Sequence, residues 1–178
     1  MYELERPPHR IYAGPDEAQT ERIRDLHRYW RSKCRDGALP SRSAIDPAEI
    51  RALLPYLILV EIDAASFEIR YRLVGTAVAK AHKDDFTGRS HDSVTSLAGA
   101  GLEHSYRRAI ERGAPVFGRS GLDAGDQTWI GFEYAVLPLG DDGTAVRKCL
   151  AMEYPDDPDP TTLSKSGSDP DRGLHPKL

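Results

Sequence analysis

Apolar and polar side chains alternate along residues 67–73. Phe67, Ile69, Tyr71 and Leu73 fall on one side, and Glu68, Arg70 and Arg72 on the other. A period of two is that of a half-buried β-strand. Residues 57–62, Leu-Ile-Leu-Val-Glu-Ile, are almost continuously apolar and read as a largely buried strand. The link Asp63-Ala-Ala-Ser66 joins the two runs as an antiparallel hairpin. Later strands are expected over 116–118, 127–139 and 145–154, with Asp141-Asp142-Gly143 as a tight turn between the last two. The pattern predicts an α+β domain built on a five-stranded antiparallel sheet.

A different period governs residues 16 to 35, where Ile23, Leu26, Trp30 and Cys34 recur at helical spacing before Gly37. Arg24, Arg28, Arg31 and Arg35 form an adjoining stripe on this amphipathic helix. That stripe reads either as a solvated face or as a docking surface for an acidic protein. Asp46, Pro47 and Glu49 have the order of an N-cap, a first-turn proline and a capping-box acid, so a second short helix is expected from there to Pro55. Thr76 is expected to cap a short helix through Ala81, and a longer helix should cover 96–112 until Gly113-Ala114-Pro115. From Pro155 onward, Asp-Asp-Pro-Asp-Pro and Ser-Lys-Ser-Gly-Ser offer too little apolar surface to offset ordering entropy, and a flexible tail is expected. No internal repeat is present.

The chain has 178 residues, enough for one domain with a core. A net charge of -4 supplies no whole-protein reason to expect nucleic-acid binding. No run reaches the roughly 20 apolar residues of a membrane span, and the start, Met-Tyr-Glu-Leu-Glu-Arg-Pro-Pro, lacks the order of a secretory signal. A soluble, cytoplasmic protein without membrane insertion is the expectation. Cys34 and Cys149 are far apart and outside any CxxC pattern, which favours reduced thiols over a disulfide or metal pair.

Several short motifs together carry a resemblance: Leu39-Pro-Ser-Arg42, Ile45-Asp-Pro-Ala-Glu-Ile50, Leu54-Pro55, Arg70-Tyr-Arg-Leu-Val-Gly-Thr76, Thr87-Gly-Arg89, Leu137-Pro-Leu139 and Asp142-Gly143. With the element order, they resemble a PAS domain, more narrowly the bacterial family of mostly stand-alone PAS proteins. Leu26-His-Arg-Tyr-Trp30 resembles that family's N-terminal tryptophan-containing helix, whereas Ala81-His-Lys-Asp-Asp-Phe86 replaces the glycine-containing turn expected before Thr-Gly-Arg. The resemblance implies a sensor fold whose five-stranded sheet curls around a pocket. It divides the chain into an N-terminal extension (1–15), the amphipathic helix (16–38), the PAS domain (39–154) and the tail (155–178).

Catalytic chemistry finds little footing. Gly99-Ala-Gly101 does not complete GxGxxG, and Gly118-Arg-Ser-Gly121 is not GxSxG, so Ser120 reads as a turn residue. His104 sits about 200° around the helix from Leu102 and should face solvent rather than hold haem. His82 likewise reads as a surface histidine. Neither cysteine is placed for a flavin adduct. No catalytic or metal-ligating residue is assigned. Candidate pocket residues are Tyr71, Leu73, Val78, Phe86, Leu102, Tyr106, Phe132 and Tyr134, a set that equally describes an ordinary core. Two functions compete: a non-catalytic sensor of a small molecule or signalling protein, and a ligand-free adaptor that binds an acidic protein. In the first, the resemblance implies pairing through flanking helices, with Ile23, Leu26 and Trp30 as the seam of a homodimer. In the second, Arg24, Arg28, Arg31 and Arg35 do the binding.

Overall fold

The computed structural model describes residues 2–3, 5–125, 128–140 and 146–156. The turn expected at Asp141-Asp142-Gly143 and the tail beyond Asp156 lie outside the described residues. Among those described, seven strands form one antiparallel sheet. They are β1 (Tyr2–Glu3), β2 (Arg10–Ile11), β3 (Leu57–Asp63), β4 (Ile69–Val74), β5 (Val116–Gly125), β6 (Thr128–Pro138) and β7 (Val146–Pro155). Their order is β2-β5-β6-β7-β3-β4, with β1 paired to β6. The five expected strands are thus present, and two short ones from the N-terminal extension join them.

Both faces of the sheet are covered. The inner face carries α2 (Thr76–His82) and α3 (Leu102–Arg112) over a core that includes Ile58, Val60, Tyr71, Phe132 and Tyr134. The outer face carries α1 (Glu21–Lys33), whose Ile23, Leu26 and Trp30 pack against Phe117, Ala135, Leu137 and Met152. This corrects the dimer seam. Ile23 and Leu26 are fully buried and Trp30 is 5 % exposed, so these side chains cover the chain's own sheet and present no surface to a second copy. The Trp30 indole N–H also donates to the Pro138 carbonyl at 2.9 Å.

The N-terminus of α1 is held by an acid from the sheet. The Thr20 side chain makes no capping hydrogen bond. Instead, Glu133 on β6 accepts from the backbone N–H groups of Gln19 at 2.9 Å and Thr20 at 2.8 Å, and from the Tyr12 hydroxyl at 2.9 Å. A carboxylate at a helix N-terminus satisfies otherwise unpaired donors and complements the dipole. Burial works to raise the Glu133 pKa, but the hydrogen bonds from Thr20, Gln19 and Tyr12 outweigh it and hold the carboxyl below its ordinary value.

Four local expectations change. The alternation along β4 fails after Tyr71 because Leu59 pairs with Leu73 while Val60 pairs with Tyr71, which leaves Arg72 as an extra residue. This bulge turns Leu73 outward, 48 % exposed. The longer helix begins at Leu102, after Gly99 and Gly101 with φ of 70° and 76° interrupt helical geometry. The helix expected after Asp46 is a 3₁₀ turn, Pro47–Ile50, in which Asp46 caps the Ala48 N–H at 2.8 Å and Glu49 pairs with Lys33 at 2.5 Å. Finally, β5 runs through Gly118 and Gly121 where a turn was expected, and Ser120 lies buried within that strand. No helix among the described residues is long and apolar enough to cross a membrane.

Two tests follow from this packing. Trp30→Ala is expected to cost about 3–5 kcal/mol, measured by urea unfolding, with no change in association state. For Glu133, the lowered folded-state pKa means that its stabilisation is present above pH 4.5, the ordinary glutamate value, and is lost as pH falls below it. Glu133→Gln is expected to flatten the acid limb of stability measured between about pH 6 and pH 3.

Candidate functional site: a polar cluster behind the inner sheet face

Along β7 the side chains of Cys149, Ala151 and Glu153 share the inner face, as the period of two requires. Glu153 therefore enters the core, where it is 4 % exposed. His82, at the end of α2, meets it with Nε2 2.8 Å from Oε2, while His82 Nδ1 lies 2.6 Å from Ser96 Oγ. Nε2–H donating to Glu153 and the Ser96 hydroxyl donating to Nδ1 satisfies both ring nitrogens. Glu153 Oε1, by contrast, is buried with no hydrogen-bond partner. Such a group carries a desolvation cost that a bound donor relieves.

Around this carboxyl stand three tyrosines. Tyr71 is hydrogen-bonded to His91 Nδ1 at 2.6 Å, and Tyr134 to Ser105 Oγ and His9 Nε2, both at 2.8 Å. Tyr106 is buried among them. Burial raises the phenol pKa values of all three, Tyr134 to about 12, and Glu153 adds to the effect at Tyr71 and Tyr106. Desolvation also pushes the Cys149 thiol up. These groups are neutral near pH 7, each phenol keeping its hydroxyl hydrogen and the thiol lacking thiolate character. Burial holds His91 below its ordinary value, against the opposing charges of Asp92, Glu153 and Glu103.

The structure brings Tyr71, Val78, Phe86, Leu102, Tyr106, Phe132 and Tyr134 into one cluster, each no more than 2 % exposed, and leaves Leu73 outside. It corrects His82, which is buried where a surface residue was expected. Its signal was the helical step of four from Val78. Glu153 was also missed, although a carboxyl in phase with Cys149 and Ala151 is anomalous on an apolar face. His9 arrives from the N-terminal extension and left no periodic signal. His104 is exposed. Among the described residues no three His, Cys, Asp or Glu side chains are grouped to hold a metal ion. Of the arginine stripe, Arg24 pairs with Glu21, and Arg28 with Glu21 and Asp25 on the same helix.

An antiparallel sheet with helices on both faces, and a few polar groups set into an apolar inner core, defines a small α+β domain. The chain belongs to the PAS domain family, whose model matches residues 18–151, well over half its length and inclusive of α1. No curated protein matches the chain. Membership supports a signalling or sensory role in general, since PAS domains are typically non-catalytic sensory domains.

The His82 and Glu153 pair is expected to behave as one unit. Removing either partner alone strands the other in the core, so His82→Leu or Glu153→Met should each destabilise more than an additive share of the double variant. A double-mutant cycle by chemical denaturation is expected to give a coupling of about 0.5–3 kcal/mol.

Proposed function

We propose that this protein is a non-catalytic signalling protein, of the bacterial and mostly stand-alone PAS kind that its motifs resemble. Its interior senses a small polar molecule, and its state passes on by association with a second copy or a signalling protein. The observation that carries the reading is the unpartnered Glu153 Oε1 in a cluster of buried phenols and imidazoles. A ligand with a hydrogen-bond donor would satisfy that oxygen, and the surrounding hydroxyls would fix its orientation. Because Glu153 is hydrogen-bonded to His82 on α2, occupancy would alter the contact between that helix and the sheet.

A second reading, a ligand-free adaptor, draws support from the tightness of the same core, whose aromatic side chains are almost wholly buried. Its original docking stripe is weakened because Arg24 and Arg28 are already matched by acids of α1.

Native purification followed by non-denaturing mass spectrometry separates the two. The sensor reading expects a stoichiometric small molecule in the wild type that is lost in a folded Glu153→Gln variant. A wild type without added mass, whose association with partners is unchanged by Glu153→Gln, would favour the adaptor.

A further inference from the structure

The C-terminal half of α1, the end of α3 and the N-terminal strap, the extension that carries β2, line a groove of about 320 Å³. Tyr12 and Phe117 supply apolar wall, while His27, Arg31, Arg108 and Arg112 line it with basic groups from two helices. The His27 ring is oriented by Phe117, edge-on at 5.2 Å, and by Trp30, stacked at 6.2 Å.

The charges here are unbalanced. Elsewhere on these helices, Arg24 and Arg28 meet Glu21 and Asp25, and Arg107 meets Glu103 at 3.2 Å. Arg31, Arg108 and Arg112 have no carboxylate within ion-pair distance among the described residues. Burial and the charge of Arg31 hold the His27 pKa below its ordinary value despite the opposing influence of Asp16. Arg112 sits in the last turn of α3 and offsets its dipole. That role does not account for Arg31, which reaches the same groove from α1.

We propose that the groove binds the phosphate of a small organic phosphomonoester, with Arg31, Arg108 and Arg112 taking the phosphate oxygens and Tyr12 and Phe117 packing against an apolar body. Planar guanidinium forks suit phosphate oxygens, and three of them from two helices match a three-oxygen group better than a two-oxygen carboxylate. The site is separate from the Glu153 cluster and does not depend on it.

Titration calorimetry of the full chain at low ionic strength tests this, with phenyl phosphate as probe and inorganic phosphate, benzoate and phenol as comparisons. Phenyl phosphate is expected to bind saturably, inorganic phosphate and benzoate more weakly, and phenol without saturation. The Arg108→Gln, Arg112→Gln double variant is expected to lose about tenfold or more in affinity, whereas Arg72→Gln on β4 leaves it unchanged. Should the double variant fail to fold, amide shifts of the wild type at residues 27, 31, 108 and 112 on adding phenyl phosphate supply the same reading. Absence of saturable binding, equal affinity in a folded double variant, or shifts confined elsewhere would overturn the proposal. Equal binding of benzoate, or preferential binding of an acidic peptide at these residues, would overturn the phosphate assignment.

Discussion

Because β6 is buried on both faces, consecutive polar residues at its centre each need a partner from a different layer. Glu133 faces outward and Tyr134 inward, and both are buried. A buried carboxylate or phenol without hydrogen bonds is costly, so the two residues dictate what lies above and below them. Glu133 is satisfied by the start of α1 and by Tyr12. Tyr134 is satisfied by Ser105 of α3 and by His9 of the N-terminal strap. Two adjacent side chains thereby set the positions of both covering layers, and shifting β6 by one residue would exchange their faces and strand both groups.

The strap itself is possible because β5 is sparsely furnished. A Cβ on Gly118 would collide with the Arg10 carbonyl and the Tyr134 hydroxyl, and one on Gly121 would lie 2.6 Å from Pro7 Cδ. Strand glycines that weaken intrinsic β preference here admit a second backbone, and the resulting β2 to β5 pairing compensates at the sheet edge. The same approach brings His9 to Tyr134, so the glycines serve the buried polar cluster as well as the sheet.

Much of this was legible in the sequence. The hairpin, the long later strands and the amphipathic α1 follow from periods of 2 and 3.6, because each has one dominant buried face. Seven of eight candidate pocket residues are in the inner core for the same reason. Failures arose where a second constraint overrode periodicity. A bulge at Arg72 reverses Leu73, the glycines of β5 look locally like turns, and the apolar seam of α1 carries no mark of its partner, because periodicity identifies a buried face without naming what covers it. The polar cluster was less visible still. His9 and Ser105 join Tyr134, and His82 joins Ser96 and Glu153; these side chains come from separate segments, and only tertiary structure brings them together.

Helix α3 is the element common to the buried polar cluster and the basic groove. Its Ser105 and Tyr106 face the polar cluster, whereas Arg108 and Arg112, one turn and two turns further along, line the basic groove. Ser105 is tied through Tyr134 to β6, so a displacement of α3 changes a buried hydrogen bond as well as the groove. An anion drawing the arginines together and an interior ligand repacking Tyr106 would therefore act on the same rigid body. If both preferred one position of α3, each would strengthen the other's binding by the same factor; if they preferred different positions, each would weaken the other equally. An arrangement of this kind needs no separate relay: the helix that closes the interior also carries the basic residues that face outward.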